Sequence, residues 1–291
     1  MAERNFSKGI EMQNVYLRLK NKLEENGIIA ASFELRQIFG VVSGDNFYQI
    51  RLENEFSEEE IIRLEDMVDR RIKGEPLQYI IGEWEFMGLP FKVREGVLIP
   101  RSETELLCEY GFDFLETRPE NSRRVLDLCC GTGCIGITAA KYVKGADVTL
   151  IDKYDIPLEI TKENAALNGV NVNIVRGDAL SAPDEKSGKF DLILTNPPYI
   201  TAEDMKTLQK EVTYEPETAL FGGDDGLDFY RSITEHYVPL LNENGALMAE
   251  IGIGEMLPVC EMFEAAGLSD VCAIKDYNDI PRIVIGLKKG N

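Results

Sequence analysis

From residue 124 onward, short apolar segments alternate with longer amphipathic ones, and this alternation constrains the fold more than any other feature of the sequence. The short segments have the length and composition of buried strands, and the longer ones have helical spacing. Such alternation is typical of βαβ units, so we predict an α/β fold with a doubly wound, seven-stranded, mainly parallel sheet. The predicted strands are 124–128, 147–151, 171–175, 190–195, 246–251, 271–275 and 282–287.

The last two predicted strands are separated by only a short polar segment, so the final strand can return antiparallel. In a sheet of this class, ligands bind in the crevice beyond the carboxyl ends of the strands. Candidate functional residues are therefore expected in the segments that directly follow the predicted strands.

The N-terminal part of the chain carries helical patterns instead. Apolar residues recur at helical spacing over 10–26 and over 30–39. A capping box formed by Ser57 and Glu60 predicts the start of a further helix. Residues 1–75 are therefore predicted to form a small helical domain.

Between the helical and alternating regions the period of the pattern changes. Two short alternating runs on either side of Gly88 predict a β-hairpin. Phe86 and Phe91 are interpreted as the core of that hairpin rather than as ligand contacts. We therefore predict a helical N-terminal domain, a hairpin linker and an α/β domain, with the boundaries 1–75, 76–101 and 102–291.

Composition limits the classes of partner. The chain has 291 residues, 51 acidic and 31 basic side chains, and a formal net charge of −20. A length of this order favours two domains, and a hydrophobic content of 44% supplies a packed interior. The charge disfavours a nucleic acid or an anionic membrane as partner, because surfaces that bind phosphates are basic.

Neither a membrane segment nor a signal peptide is indicated by the sequence. No stretch approaches the roughly 20 apolar residues of a membrane helix. The segment from Met1 to Gly9 lacks the apolar core of a signal peptide, so we expect a cytoplasmic protein.

The cysteines and the single histidine give little support to a metal or disulfide chemistry. The six cysteines show no disulfide framework. Cys129, Cys130 and Cys134 lack the paired spacing of a zinc site, so no metal is predicted. His236 lies in a helical pattern and is interpreted as an ordinary surface or interface residue.

A glycine-containing loop follows the first strand of the alternating region and precedes a helix, which is where nucleotide-type ligands bind. Asp152 and Asp178 follow the second and third strands, where carboxylates can meet ribose hydroxyls and an adenine amine. Because these features occur in register, we expect an adenosine-type ligand rather than an empty turn. The candidate cofactor-binding residues are Cys129, Cys130, Gly131, Thr132, Gly133, Asp152, Asp178, Ala179 and Asn196.

This first motif leaves two questions open. Gly131, Gly133 and Gly136 also satisfy the spacing of a dinucleotide fingerprint, so the ligand can be NAD or S-adenosylmethionine. Asp127, near the end of the preceding strand, is predicted either to cap the following helix or to contact the ligand directly.

The second motif is Asn-Pro-Pro-Tyr, residues 196–199, at the end of the fourth predicted strand. Its two prolines fix the backbone beyond the strand, and a rigid turn is the simplest structural interpretation. Downstream of an adenosine-binding loop, however, this sequence indicates a chemical role. The candidate catalytic residues are Asn196, Pro197 and Tyr199, and the candidate substrate-binding residues are these three and Pro198.

The chemistry of a planar nitrogen explains this motif. An amide or aromatic amine is a poor nucleophile because its lone pair is delocalised. The Asn196 side-chain oxygen and the Pro197 carbonyl can each accept one of its N–H bonds, and Tyr199 can pack on the flat group. Positioning then dominates over acid–base catalysis. The motif therefore predicts a methyltransferase acting on adenine, cytosine or a glutamine amide, with S-adenosylmethionine as donor.

At this point the sequence resembles the HemK-type release-factor glutamine methyltransferases, whose catalytic domain has the Rossmann-like fold of class I methyltransferases. The resemblance implies transfer to the glutamine of the Gly-Gly-Gln loop of peptide-chain release factors, with an N-terminal helical domain that recognises the substrate. Cys129 and Cys130 stand where the family usually has Gly and Thr, and Ser102 replaces a frequent Pro. The segments that carry the resemblance are 75–82, 85–91, 97–105, 126–133, 196–199, 214–216, 219–223, 225–227, 250–252 and 280–282.

Three alternatives remain beside this hypothesis. An adenine-N6 methyltransferase shares the Asn-Pro-Pro-Tyr chemistry but is expected to carry a basic recognition domain. A sister family methylates glutamine in a ribosomal protein, and a binding module without catalytic activity could retain the fold.

Arg101 and Glu103 are predicted to line the cofactor pocket or to form a domain-linking ion pair. Glu250 is predicted to orient the site or to be solvated.

Overall fold

The computed structural model describes residues 2–44, 56–121, 123–184 and 188–290. It divides into two compact units. The first comprises Met1–Gly82 and Lys210–Tyr214, and the second comprises Glu83–Gln209 and Glu215–Asn291. The domain boundaries predicted at residues 75 and 101 stay predictions beside this division.

The first unit is helical, as the sequence predicts. Its helices pack around buried leucine, isoleucine and phenylalanine side chains such as Leu23, Ile38 and Phe39. The predicted capping box is present, since the Ser57 hydroxyl accepts from the Glu60 amide and the Glu60 carboxylate accepts from the Ser57 amide. The helices are α1 (Ala2–Glu25), α2 (Ala31–Ser43), α3 (Glu58–Ile72) and α4 (Leu77–Ile81).

A buried arginine joins the distant segment Lys210–Tyr214 to this helical unit. The Arg71 guanidinium on α3 donates to Glu34 on α2 at 2.6 Å and to Glu211 at 3.1 Å. The Tyr214 hydroxyl donates to the carbonyl of Lys73 at 3.2 Å. Removal of either Arg71 or its carboxylate partners leaves a buried charge uncompensated, so this network is a strong local constraint.

The second unit begins with the predicted hairpin, formed by β1 (Glu83–Phe86) and β2 (Leu89–Lys92). Met87 and Gly88 both have positive φ, 51° and 73°, as a type I′ turn requires. Phe86 and Phe91 are buried and meet edge to face, with ring centroids 6.0 Å apart. They therefore belong to the hydrophobic core, as predicted.

The alternating region forms strands and helices in the predicted sequence. Short 3₁₀ helices occur at Asp204–Thr207, Glu217–Ala219 and Val238–Leu240. The main elements are α5 (Ser102–Glu116), β3 (Arg124–Leu128), α6 (Cys134–Tyr142), β4 (Asp147–Asp152), α7 (Asp155–Asn168), β5 (Asn173–Arg176), β6 (Phe190–Thr195), α8 (Asp228–His236), β7 (Leu241–Glu250), α9 (Met256–Ala265), β8 (Leu268–Lys275) and β9 (Pro281–Lys288).

The described residues contain a seven-stranded sheet with the order β5-β4-β3-β6-β7-β9-β8. The pairings among β5, β4, β3, β6 and β7 are parallel, and β9 is antiparallel to both its neighbours. This confirms the mainly parallel sheet and the antiparallel return at its end. The chain builds outward from β3 on one side and then crosses to β6 on the other, so the topological switch point lies between these two strands.

The observed ends of two strands differ from the predicted ones, because their residues show no regular alternation of apolar and polar side chains. The predicted strand 171–175 occurs as β5, an edge strand whose residues are mostly exposed, so no apolar periodicity marks its limits. The predicted strand 246–251 begins earlier, at Leu241. Asn244 takes a φ of +59° inside that strand, and this irregularity hides the first residues from an alternation pattern.

Both faces of the sheet are covered. Side chains of α5, α6 and α7, such as Leu107, Ile137 and Ala165, form one hydrophobic cluster with Val125 of β3. Side chains of α8 and α9 join Leu126 and its neighbours in a second cluster on the opposite face. The central strands are consequently buried on both faces. The polar residues of a site are therefore expected beyond the carboxyl ends of these strands.

One buried asparagine connects the hairpin, helix α7 and the loop after β3. Asn164 accepts from the Lys92 amide at 2.7 Å, and its amide donates to the Lys92 carbonyl at 3.1 Å and to the Thr132 carbonyl at 3.0 Å. Every polar atom of this side chain is therefore used, and the side chain itself is fully buried.

We predict that Asn164→Ala destabilises the protein by about 2–3 kcal/mol, because the buried Thr132 carbonyl and the Lys92 backbone lose their partners. Urea unfolding of the variant and of the wild-type protein measures the difference. The matched control is Asn171→Ala at an exposed position, where a change within about 0.5 kcal/mol is expected. Equal effects of the two substitutions would contradict the bridging role of Asn164.

Candidate active site

The loop after β3 has an unusual backbone. Cys129, Gly131 and Gly133 all have positive φ, at 63°, 55° and 78°. Glycine adopts this region freely, whereas Cys129 does so at a cost of roughly 1–2 kcal/mol. The loop is held by hydrogen bonds from the Cys130 amide to the Ile151 carbonyl at 3.0 Å and from the Gly133 amide to the Cys130 carbonyl at 2.7 Å. The result is a tight, preformed turn at the carboxyl edge of the sheet.

Asp152, the last residue of β4, ties this loop to the next strand. Its carboxylate accepts from the Gly131 amide at 2.9 Å and from the Tyr154 amide at 3.1 Å. Burial raises the pKa of Asp152 from its ordinary value, and the backbone hydrogen bonds oppose that shift. A carboxylate has about four acceptor positions, so the side chain retains capacity to accept from ligand hydroxyls.

Asp127 has a different role. One carboxylate oxygen accepts from the Gly136 amide in the first turn of α6 at 2.8 Å, whereas the other is buried without a partner among the described residues. Burial raises the pKa of this carboxyl to about 7. Asp127 lines neither of the two cavities described below. Of its two predicted roles, the structure supports the helix cap.

A cavity with about 710 Å³ of space, its opening to solvent included, lies beyond the carboxyl ends of β3, β4, β5 and β6. Its walls combine apolar side chains with two carboxylates at the strand ends. The lining includes Val97, Leu98, Leu128, Cys129, Gly131, Ile151, Asp152, Asp178, Ala179, Asn196, Pro198 and Phe229.

Asp178 is ionised at the wall of this larger cavity. It accepts from the Leu180 amide at 3.0 Å and pairs with the Lys153 ammonium at 2.9 Å. Burial opposes ionisation, but these two partners outweigh it and lower the pKa of Asp178. The side chain is therefore an acceptor at neutral pH, with Oδ1 engaged by the Leu180 amide and Oδ2 by the half-exposed Lys153 ammonium.

A smaller cavity of about 340 Å³ adjoins the first. Arg101 contributes to its wall and pairs with Glu215, which also accepts from the Ile99 amide at 3.1 Å. This ion pair lies within the second unit and joins the predicted linker 76–101 to the predicted domain 102–291. Leu98, Cys129, Gly131 and Asn196 line both cavities, and Pro100, Arg101, Thr104, Cys130, Thr132, Cys134 and Ile135 line only the smaller one.

The Asn-Pro-Pro-Tyr segment is held on both sides. Before it, the Thr195 hydroxyl donates to the Leu128 carbonyl at 2.8 Å. After it, Ile200 exchanges hydrogen bonds with Leu220 and Gly222. A Cβ on Gly222 would lie 2.6 Å from the Cα of Tyr199, so only glycine permits this approach. The backbone that carries Asn196 is thus rigid before any ligand arrives.

The Asn196 side chain lies at the boundary of the two cavities with a defined amide orientation. Its Nδ2 donates to the Thr104 hydroxyl at 3.1 Å, and that hydroxyl donates to the Glu250 carboxyl at 2.6 Å. Within the described part of the chain, Asn196 Oδ1 accepts no hydrogen bond, so it can accept one from a ligand. Glu250 is 2% exposed, which excludes the solvated alternative.

Comparison with known proteins assigns the chain to a family. It is 37% identical to the release factor glutamine methyltransferase of Geobacter sulfurreducens, over 91% of this chain and 92% of that protein. It is 38% identical to the Clostridium acetobutylicum protein of the same name, over 82% and 84% of the two chains. The chain belongs to the release factor glutamine methyltransferase family.

Family models and solved structures agree with this membership. The methyltransferase small domain model matches residues 108–222, and the PrmC N-terminal domain model matches residues 15–82. A methyltransferase from Pyrococcus furiosus superposes with a TM-score of 0.51 at 21% identity, over 70% of this chain and 91% of that one. The hMettl16 catalytic domain superposes with a TM-score of 0.56 at 16% identity, over 87% and 93%. These likenesses show the class I methyltransferase fold.

Within this family member, the structure brings most of the sequence-predicted site residues to one place. Gly133, Pro197 and Tyr199 line neither cavity. Tyr199 follows Asn196 by three residues, and burial raises its pKa well above the ordinary value. Glu103 and His236 also lie outside both linings, and His236 ends helix α8.

Sequence reasoning did not single out several residues that shape the site. Thr104 and Glu215 bond to predicted site residues, and Thr161 donates to the Gly131 carbonyl at 3.0 Å. Thr161 and Asn164 occupy buried positions of α7. Polar residues on the core-facing side of a helix are a sequence signal, and it would have identified Thr161 and Asn164.

No helix in the described ranges is long and apolar enough to cross a membrane. The same ranges contain no cluster of three or more histidine, cysteine, aspartate and glutamate side chains arranged to hold a metal ion.

The pH dependence of stability tests the burial of Glu250. Burial raises its pKa from 4.5 to about 7, against the opposing Thr104 hydrogen bond. The stability that this group contributes is therefore fully present below pH 4.5 and is lost as the pH rises through about 7. Glu250→Gln removes that loss. The stability of the variant relative to wild type should rise by on the order of 3 kcal/mol between pH 4 and pH 8.

Urea unfolding of both proteins at each pH measures this trend. Glu235→Gln, at an exposed position of α8, corrects for the change of net charge. A stability difference between Glu250→Gln and wild type that does not vary with pH would show that the Glu250 carboxyl is hydrated in solution.

Proposed function

We propose that this protein transfers a methyl group from S-adenosylmethionine to the side-chain amide nitrogen of the glutamine in the Gly-Gly-Gln motif of peptide-chain release factors. Membership of the release factor glutamine methyltransferase family supports the choice of substrate. The single observation that carries the chemistry is the oriented Asn196 carboxamide, whose free oxygen lies where two cavities meet.

The larger cavity fits the proposed cofactor. It joins apolar walls, suited to a flat adenine ring, to the Asp152 carboxylate, which retains acceptor positions for ribose hydroxyls. Asp178, Ala179 and the backbone of Cys129 and Gly131 complete that wall. When bound, S-adenosylmethionine supplies an electrophilic methyl group on a positively charged sulfur.

The smaller cavity fits the end of the cofactor that carries the methionine part. It is lined by the loop residues Cys130 and Thr132 and by Arg101. The Arg101 guanidinium pairs with Glu215 and remains about one-third exposed, so it retains donors for a carboxylate. We propose that Cys130 and Thr132 contact the cofactor here, and that Gly133 supports the turn without lining the pocket.

The acceptor glutamine is positioned by two oxygens. Asn196 Oδ1 accepts one N–H of the substrate amide, and the Pro197 carbonyl accepts the other, so the nitrogen lone pair points along the line of transfer. Formation of the N–C bond would be matched by cleavage of the methyl–sulfur bond of the sulfonium, whose electron pair would remain on sulfur. The amide nitrogen would then release a proton to solvent and regain its planar form. No strong base is required, because the methylated amide is acidic while it carries the positive charge.

Tyr199 and Pro198 restrict the geometry further. Pro198 lines the larger cavity and is buried, so it separates cofactor from substrate on one side. Tyr199 is held by the Gly222 contact, and we propose that its ring packs against the flat amide. The two residues favour a planar acceptor over a tetrahedral amine.

An adenine methyltransferase is the principal alternative, since adenine also presents a planar amine. The net charge of −20 argues against a surface for nucleic-acid phosphates. The structure of hMettl16 was solved in complex with the MAT2A 3′UTR hairpin 6, but at 16% identity its likeness concerns the fold alone. Incubation with tritiated cofactor should label purified release factor and leave RNA and DNA unlabelled. Labelled nucleic acid with unlabelled release factor would establish the alternative.

We predict that Asn196→Ala lowers kcat for release-factor methylation by at least about 100-fold, because an aligned acceptor of the reacting amide is lost. The Kd for S-adenosylmethionine, measured by calorimetry, should change by less than about tenfold. Asn171→Ala is the matched control at an exposed site and should retain wild-type turnover. Equal losses of turnover and cofactor affinity in Asn196→Ala would identify Asn196 as mainly a cofactor residue.

The helical N-terminal region is proposed to hold the release factor at a surface away from the glutamine. Ile29 and Ile62 are 102% and 64% exposed, which is unusual for isoleucine and suits a protein contact. The double variant Ile29→Ser/Ile62→Ser should raise KM for the release factor about tenfold and leave KM for S-adenosylmethionine unchanged.

Leu167→Ser is the matched control for this double variant. Leu167 is 43% exposed near the end of α7, at the edge of the sheet opposite the cavities. It should leave both KM values unchanged. An unaltered KM for the release factor in the isoleucine variant would remove these two side chains from the recognition surface.

A further inference from the structure

We infer that Thr104 and Glu250 are positioning residues that fix which end of the Asn196 carboxamide faces the acceptor amide. The inference rests on the proposed function and deepens it. Asn196 Nδ2, the Thr104 hydroxyl and the Glu250 carboxylate form a continuous hydrogen-bonded series, which we call the amide-orienting chain.

The fold brings these three side chains together from distant parts of the sequence. Thr104 lies in the first turn of α5, Glu250 is the last residue of β7, and Asn196 directly follows β6. Thr195 pairs with Ala249 in the parallel register of β6 and β7, so Asn196 and Glu250 leave neighbouring strands at the same level. Thr104 lies between them and bonds to both.

The direction of the series follows from the chemistry of its members. A hydroxyl has one proton to donate, and Glu250 only accepts in its ionised form, which prevails above its pKa of about 7. The Thr104 proton is committed to Glu250 across 2.6 Å, so towards Asn196 the hydroxyl presents a lone pair. An acceptor at that position selects the Nδ2 end of the amide. Oδ1 must then point away from Thr104, into the space that the two cavities share.

A reversed Asn196 amide would be costly in two ways. Its oxygen would face the Thr104 oxygen, so the hydroxyl would have to withdraw its proton from Glu250 and leave a buried carboxylate without that donor. Its NH₂ group would meet the NH₂ group of the acceptor glutamine, and two sets of donors cannot bond to each other. The amide-orienting chain therefore excludes the unproductive orientation of the Asn196 amide before substrate binds.

The burial of the series makes this control strong. Thr104 and Glu250 are each 2% exposed, so their hydrogen bond lies in surroundings of low dielectric. The Tyr230 hydroxyl donates to the backbone carbonyl of Glu250 at 2.8 Å and further fixes the residue. Glu250 lines neither cavity and Thr104 lines only the smaller one. Because the Thr104 hydroxyl is already committed to Asn196 and Glu250, its loss should affect turnover more than cofactor binding.

Thr104→Val tests the inference, because valine keeps the shape of threonine and removes the hydroxyl. We expect kcat for release-factor methylation to fall at least tenfold, while the Kd for S-adenosylmethionine stays within threefold of wild type. Thr104→Ser restores the hydroxyl and should recover kcat to within threefold. Thr104→Ala, which lacks the hydroxyl and is smaller, should match Thr104→Val and replaces it in the comparison if the valine variant does not bind cofactor.

The outcomes separate this inference from the proposed function. Wild-type turnover in Thr104→Val or Thr104→Ala would overturn the orienting role, and so would a serine variant as impaired as the valine variant. A parallel loss of kcat and cofactor affinity in the hydroxyl-free variants would reduce Thr104 to a structural residue. A wild-type protein that binds S-adenosylmethionine but leaves the release-factor glutamine unmethylated would overturn the proposed function, and with it this inference.

Discussion

The parallel pairing of β3 with β6 is the constraint on which the rest of the site depends. Both strands are buried on both faces, and the register Leu128 to Thr195 makes them end at the same level. The cofactor-type loop and Asn196 directly follow them, so neither has to be brought into place by a mobile segment. The Thr195 hydroxyl bond to the Leu128 carbonyl closes this arrangement at the last residue of each strand.

Burial at the carboxyl edge has an electrostatic consequence. Asp152 and Glu250 are carboxyls in a region of low dielectric, and burial raises the pKa of each from its ordinary value. Each is nevertheless hydrogen-bonded, Asp152 by backbone amides and Glu250 by Thr104. Such groups cost stability in the free protein. Their directional acceptor positions are suited to a ligand and, in the case of Glu250, to the orientation of a neighbouring amide.

The sequence predicted the features that follow from local patterns. The strands β3 and β6 were recognisable because both of their faces are apolar, and the loop and the Asn-Pro-Pro-Tyr segment because they directly follow those strands. The capping box at Ser57 and the hairpin turn at Gly88 depend on neighbouring residues only, and both occur as predicted.

Contacts between distant residues were not accessible in this way. Thr104 bonds to residues 92 and 146 positions away along the chain, and Arg71 to one 140 positions away. No periodicity reports such pairings, because they depend on how complete elements pack. The backbone strain at Cys129 was likewise not predictable from the sequence. Only the folded loop shows that this non-glycine residue takes a positive φ.

Mass spectrometry of the Gly-Gly-Gln peptide from a release factor tests the central claim most directly. The purified factor would be incubated with S-adenosylmethionine and either the wild-type protein or the Asn196→Ala variant, and the peptide fragmented to locate any added methyl group. We predict one methyl group on the glutamine side chain with the wild-type protein and almost none with the variant. A methyl group on another residue, or an unmodified peptide with the wild-type protein, would contradict the assignment of this site to glutamine methylation.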